Sequence, residues 1–292
     1  MRKLMYLLFL LVNKLLQVFP AGYRIRQSLP VRAIYDFFVS RLKRGVAQVQ
    51  GHKMFLDSKD SLGVSIRGIY NPLTTNLFRK EINKGEVVLD IGAHIGYFTL
   101  IAANLVGEEG KVFAFEPAPD NFALLKKNVE FNGYENVVPI EKAVSNKCGR
   151  TKLFLDERST GNNTIYEPAN AGKSVEVDVI TLDEFFKDYN GNINFIKMDV
   201  EGAEPAVIEG MSRLLSKNKK LKMVTEFSSN NLKRSGIVLQ EYLKLLIKHG
   251  FKLFNIDERN GKIKPIYEDA IVQFCAFCVN KNYSTNLFCS RR

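Results

Sequence analysis

Cysteine is scarce and unpatterned, with Cys148, Cys275, Cys278 and Cys289 the only four in 292 residues. That spacing builds no disulfide framework and suits a reducing cytoplasm. Cys275 and Cys278 form a C-x-x-C, but inside the apolar stretch IVQFCAFCV, which reads as a buried strand rather than a metal or redox site. His52 and His249 have no partners visible in the sequence, and His249-Gly250 reads as a helix end. Long apolar runs are missing too: Leu4 to Val12 is nine residues, against the roughly twenty that a spanning helix needs. No G-x-G-x-x-G occurs at a strand-to-helix junction, which argues against a dinucleotide site.

What the chain does contain is an ordinary globular composition, 46% hydrophobic and 25% charged. This excludes a disordered or fibrous chain and gives room for one α/β domain with a substantial core plus an extension. The net charge of +11 is uneven: residues 1–53 hold ten Lys or Arg against Asp36 alone, leaving 32 bases against 30 acids elsewhere. The division expected is therefore a basic, apolar helical extension over 1–44 and a nearly neutral domain over 45–292.

Arg2 and Lys3 before the apolar run fit a signal peptide, but only Ala21-Gly22 offers a weak cleavage site. The reading preferred is an interfacial helix held at an anionic membrane surface by these cations and by Lys14, Arg24, Arg26, Arg32, Arg41, Lys43 and Arg44. It places the chain in the cytoplasm, peripheral at the inner face of a membrane. A helix packed on the domain or in an oligomer contact is the alternative. Nucleic acid is not expected, because the basic residues flank an apolar segment instead of polar or stacking residues.

The stretch Glu86 to Leu100, EVVLDIGAHIGYFTL, organises the rest. Val87, Val88, Leu89 and Ile91 suit a strand buried on both faces, and Phe98, Leu100, Ile101 and Leu105 have helical spacing. Between them, Gly92 allows close backbone approach, Gly96 lets the helix start pack near the strand, and Asp90 ends the strand with a carboxylate. An acidic turn suits a ligand bearing positive charge rather than phosphate. S-adenosylmethionine, with its ammonium and sulfonium, fits. Glu116, at the end of KVFAFE, is placed to accept hydrogen bonds from both ribose hydroxyls.

With DIGAHIGYFTL, FAFEPAPDNFALLKKNVEFN, TLDEFF and FIKMDVEGAEPAVIEGM in that order, the chain from about Asn83 to Phe227 resembles the FkbM family of methyltransferases. The resemblance implies a class I, Rossmann-like α/β fold, S-adenosylmethionine as cofactor, and O-methylation, commonly of sugar or polyketide hydroxyls. It also implies that Asp90, Gly92, Ala93 and Gly96 surround the methionine end, Glu116 the ribose, and Pro117 with Ala143 and Val144 the adenine.

From Lys111 the pattern alternates, with strands near 111–116, 137–141, 193–198 and 221–227 and helices near 119–132, 203–215 and 237–249. A mostly parallel, seven-stranded sheet is expected, closed by an antiparallel hairpin of LFNID and AIVQFCAFCVN. GHKMFLD and GVSIRGIY read as strands and NPLTTNLFRKEIN as a helix, while TKLFL and SVEVDVI flank a Gly/Asn-rich insertion, 156–173, near the substrate. Tyr70-Asn71-Pro72-Leu73 only superficially resembles the Asn-Pro-Pro-Tyr box of base-methylating enzymes, since it precedes the glycine turn.

Methylating an alcohol requires a base within hydrogen-bonding reach at the carboxyl ends of the strands. Asp199 is the first candidate for base or substrate orienter, with a helix cap as its alternative role; Glu226, ending LKMVTEF, is the second. Glu201 and Glu204 are candidate substrate contacts. His94 in the glycine turn could act as base, although a cofactor contact suits it better. No metal is expected, since the spacing of Asp199, Glu201 and Glu204 matches no recognised metal loop. The expected activity is methyl transfer from S-adenosylmethionine to a hydroxyl of a saccharide, glycoconjugate or small molecule. Alternatives are a non-sugar hydroxyl, a nitrogen, or a non-catalytic scaffold of the same fold.

Overall fold

A computed structural model describes residues 45–169 and 172–291. The extension expected over 1–44 lies outside the described residues, and no helix among them is long and apolar enough to cross a membrane.

The described chain opens with a hairpin, β1 (Val46–Val49) and β2 (His52–Phe55), then a single helical turn α1 (Val64–Arg67) and helix α2 (Pro72–Glu81). GVSIRGIY is therefore not a strand. Gly63 and Gly68 take left-handed conformations on either side of one turn, and the Asp60 carboxylate accepts from the Ser65 hydroxyl, so the local bonds favour a coil over extension.

The nucleotide-binding half follows as β3 (Val87–Ile91), α3 (Tyr97–Val106), β4 (Lys111–Phe115), α4 (Pro119–Phe131) and β5 (Val137–Ile140). A small sheet comes next, made by β6 (Ala143–Val144), β7 (Gly149–Phe154) and β8 (Ser174–Ile180), with the expected insertion between β7 and β8. After α5 (Leu182–Phe185) come β9 (Phe195–Met198), α6 (Glu204–Glu209), α7 (Ser212–Lys217), β10 (Lys222–Ser228), α8 (Ser229–Arg234) and α9 (Leu239–Lys248). The helix expected over 203–215 is two helices, broken where Gly210 presses against the Ser145 backbone. The chain then runs through β11 (Lys252–Asp257), β12 (Lys262–Ile266), α10 (Ile271–Asn280) and β13 (Ser284–Ser290).

The main sheet has the order β12-β11-β13-β10-β9-β3-β4-β5. Its β10-β9-β3-β4-β5 half is parallel, and β13 runs antiparallel between β10 and β11. This is the class I methyltransferase arrangement of seven strands plus an eighth at the edge, β12. The closing hairpin was assigned to the wrong partner. AIVQFCAFCVN is helix α10, with Ile271, Cys275 and Cys278 buried at helical spacing, and β11 pairs instead with β12. A continuous apolar run fits either element, and here the 3.6-residue period wins over strand propensity. All four thiols are free, and burial pushes those of Cys275 and Cys278 up to about 11 and about 12.

Alternate residues of β3 face opposite layers, as the two-residue strand period demands. Leu89 and Ile91 join one core with α6, α7, α9 and α10, while Val88 joins the other with α2, α3 and α4. Burial on both faces holds the carboxyl ends of β3, β4, β9 and β10 in one rigid row.

Candidate active site

Strand register brings the acids together. Asp90 stands opposite Lys197 in the β3–β9 pair, and Met198 stands opposite Thr225 in the β9–β10 pair. One residue further along, Asp199 and Glu226 therefore leave adjacent strands side by side.

The turn after β9 adds two more carboxylates. Glu201 and Gly202 both have positive φ, 55° and 104°. A Cβ on Gly202 would meet the Asn231 carbonyl oxygen at 2.6 Å, so only glycine fits there. Glu204, at the start of α6, turns its carboxylate back onto the Val200 and Gly202 N–H groups at 2.9 and 3.0 Å and is 1% exposed. It shapes the loop and lies outside the lining of the cavities that Asp199, Glu201 and Glu226 border. Asp199, Glu201 and Glu226 do converge, with carboxylate oxygens within 4.8 Å of one another. Like charges this close resist ionising together. Burial first, then Asp199 and Glu204, raises Glu201 to about 8; burial first, then Glu201, Asp199 and Glu204, holds Glu226 well above the usual carboxylate range. Asn231 Nδ2 donates to Glu201 at 2.6 Å and to Glu226 at 3.2 Å, joining the pair.

On the other side of Asp199 lies a partly open cavity at the carboxyl ends of β3, β4 and β9. Gly92, Ala93, His94, Glu116, Pro117, Ala143 and Val144 all line it, as do Asp199 and Glu201. Gly92 has φ 77°, and a Cβ there would meet the Asp199 carbonyl oxygen at 1.9 Å. Asp90 and Gly96 do not line it. Asp90 is 1% exposed, bonded by the Thr99 hydroxyl at 2.6 Å and placed 3.4 Å from Lys197 Nζ, so it acts on the turn from beneath. Gly96 gives up its Cβ to the Leu125 side chain on α4.

Glu116 accepts from the His94 and Ala118 N–H groups at 2.8 and 2.9 Å, yet burial outweighs these bonds and raises it to about 7. Burial pushes the His94 imidazole down to about 4, and its Nε2 pairs with the Thr160 hydroxyl at 2.8 Å. The ring forms part of the cavity wall. Its Nδ1 is buried without a hydrogen-bond partner. A diol-accepting carboxylate, an orphaned nitrogen and the apolar Ala143–Val144 wall fit an adenosine with a polar tail.

Several site residues escaped the sequence reading. Lys197 Nζ donates to the Gly92 carbonyl at 2.6 Å and lies 3.9 Å from Asp199 Oδ2. Burial draws its ammonium down, but Asp90, Asp199 and Glu116 more than offset this and raise it. The available signal was a lysine inside an otherwise apolar strand, FIKM. Thr160, from the insertion, closes the cavity: Asn121 Nδ2 donates to its carbonyl at 2.9 Å, and its N–H donates to Ser61 Oγ at 3.0 Å. Tyr70, set aside in the sequence, lines the same cavity and faces Asp199, Glu226 and Glu201.

Comparison with known proteins finds methyltransferases similar to this chain. Methyltransferase 1 of Beauveria bassiana is 28% identical over 144 residues, 42% of this chain and 57% of that protein. Hexuronic acid methyltransferase AglP of Haloferax volcanii is 29% identical over 142 residues, 48% of this chain and 55% of that protein. The 31-O-demethyl-FK506 methyltransferase FkbM of Streptomyces tacrolimicus is 29% identical over 161 residues, 45% and 61%. The chain thus spans less than two thirds of the length of these relatives. The methyltransferase FkbM domain itself matches residues 90–253, more than half of the chain, and the chain belongs to that family of S-adenosylmethionine-dependent methyltransferases.

Proposed function

We propose that this enzyme O-methylates a hydroxyl of a saccharide or glycoconjugate, with Asp199 receiving the hydroxyl proton. One observation carries the reading: Asp199, Glu201 and Glu226 stand where the cavity at the glycine turn meets a broad outer cleft. Glu201 lines both, and the cleft walls carry Asn162, Asn230, Asn231, Arg158 and Arg234. Planar amides and guanidinium groups suit the paired hydroxyls of a sugar ring.

S-adenosylmethionine, when bound, supplies a methyl group activated by a sulfonium. Glu116 would hold its ribose, the Ala143–Val144 wall its adenine, and the Gly92–His94 turn its methionine end. The remaining work falls to acids in different protonation states. Glu226, whose carboxyl burial and the neighbouring acids Glu201, Asp199 and Glu204 push toward the protonated form, can donate a hydrogen bond to the acceptor oxygen. Asp199, side chain 28% exposed and beside the Lys197 ammonium, can accept the proton. Separation of roles between neighbouring carboxyls by environment is a general route to acid–base chemistry near pH 7.

The name of one relative, a 31-O-demethyl-FK506 methyltransferase, favours an oxygen acceptor, and that of another, a hexuronic acid methyltransferase, favours a sugar. The test is transfer of a labelled methyl group to methyl glycosides of glucuronic acid and glucose, with the product position read by mass spectrometry. Methylation only at nitrogen in an amino-sugar control would overturn the reading. The basic, apolar 1–44 segment is proposed to hold the enzyme at an anionic surface. Unchanged binding to phosphatidylglycerol vesicles after deletion of residues 1–20 would remove that part.

A further inference from the structure

We propose that Lys197 is a positioning residue: its ammonium, bonded to the Gly92 carbonyl and set between Asp90 and Asp199, couples the cofactor turn to the carboxylate that receives the proton. The inference rests on Asp199 as that carboxylate.

The arrangement follows from register. Lys197 faces Asp90 across β3–β9 and precedes Asp199 by two residues on one strand, so all three side chains leave the same face. With its side chain 9% exposed, the ammonium has three acceptors within reach, at 2.6 Å (Gly92 O), 3.4 Å (Asp90 Oδ1) and 3.9 Å (Asp199 Oδ2). Asp90 Oδ1 has no hydrogen-bond partner, so the ammonium is its compensation.

The surroundings are acidic on every side. Asp199 is faced by Glu201 and Glu204 from the turn into α6, Glu226 from β10, and Tyr70 before α2, while Asp90 from β3 and Glu116 from the end of β4 face the Lys197 ammonium. His94 in the glycine turn stands neutral, and Arg234 acts on Glu201 from α8. Lys197 is the buried cation of this group among the described residues. Without it, Asp199 would face the carboxyls of Glu201, Glu204 and Glu226 with no cation within 4 Å among the described residues. Through Gly92 the same ammonium fixes the turn whose backbone touches Asp199, so cofactor geometry and proton acceptance are set by one group.

The test needs no acceptor. Protein carrying carboxyl-labelled aspartate is titrated by carbon NMR, with Asp199→Asn identifying the resonance. Lys197→Met should raise the Asp199 midpoint by about one to three pH units, as loss of an adjacent opposite charge does. Lys197→Arg, keeping the charge, should return it most of the way. Asp90→Asn should lower the midpoint, since the ammonium then serves Asp199 alone, and this variant decides the matter if Lys197→Met does not fold. A midpoint unmoved in both Lys197→Met and Asp90→Asn overturns the proposal. Failure of the base reading looks different: Asp199→Asn would keep full turnover on the glycosides while the NMR coupling to Lys197 persisted.

Discussion

Glu116 is 5% exposed and sits at about 7 in the cofactor-free protein. A carboxyl moved there from its ordinary 4.5 costs the folded state roughly 3 kcal/mol when ionised, at about 1.4 kcal/mol per tenfold in acidity. The folded protein binds the extra proton between those two values. Stability should therefore fall as pH rises from about 4.5 to about 7 and then level off. Glu116→Gln removes the titration and should be more stable than the parent by up to about 3 kcal/mol above pH 7, the offset vanishing below pH 4.5. His94 titrates alike in both proteins and cancels. Function pulls the other way: if the ribose needs the carboxylate, cofactor affinity should weaken about tenfold between pH 8 and pH 6 in the parent. Glu116→Gln should bind weakly and without that dependence. Calorimetric titration at the two pH values, with urea melts of both proteins, measures every quantity. A parent affinity indifferent to pH, with a stability gap constant from pH 4.5 to 8, would refute the reasoning.

Gly92→Ala combines positive φ with a Cβ at 1.9 Å from the Asp199 carbonyl, and should cost at least about 3 kcal/mol in urea melts, from strain plus overpacking. A loss below 1 kcal/mol would mean the turn relaxes freely. Glu226→Gln preserves shape and the capacity to donate a hydrogen bond, so turnover at pH 7 should change by less than about threefold, while Asp199→Asn should lose at least about a hundredfold; equal losses would make Glu226 the base. Thr160→Val deletes the hydroxyl bonded to His94 Nε2 and Ser61 Oγ. It should speed release of S-adenosylhomocysteine about three- to tenfold in stopped flow, the worth of one or two hydrogen bonds.

Much of the site was readable because its chemistry is local. Asp90, Gly92 and Glu116 stand at or just past the carboxyl ends of two strands in a pattern that a cofactor with a cationic tail explains, and Asp199 and Glu226 stand near the carboxyl ends of strands whose apolar runs are plain. What escaped depends on contacts distant in sequence. Thr160 reaches Ser61 and Asn121 across 99 and 39 positions, and nothing in a Gly/Asn-rich loop announces a latch. Lys197 looked like an interruption of an apolar strand, and its meaning appeared only when register set it against Asp90. Glu204 carried the same residue type as its neighbours, and only the bend of its own loop decided that it would serve backbone N–H groups. Helix α10 was missed for another reason, since a ten-residue apolar run satisfies both periods until its neighbours choose.

The place of β13 inside the sheet bears on how the chain is made. Every residue from Lys222 to Ser228 on β10 pairs with it, and Lys252 to Ile256 on β11 pairs with its other edge. Until residue 290 has left the ribosome, those two strands must wait with their edges unpaired, the state most open to joining another chain. Synthesis arrested before Ser284 should therefore yield nascent chains that capture chaperones and remain protease-sensitive at β10, with protection arriving in a single step once Ser284–Ser290 emerges.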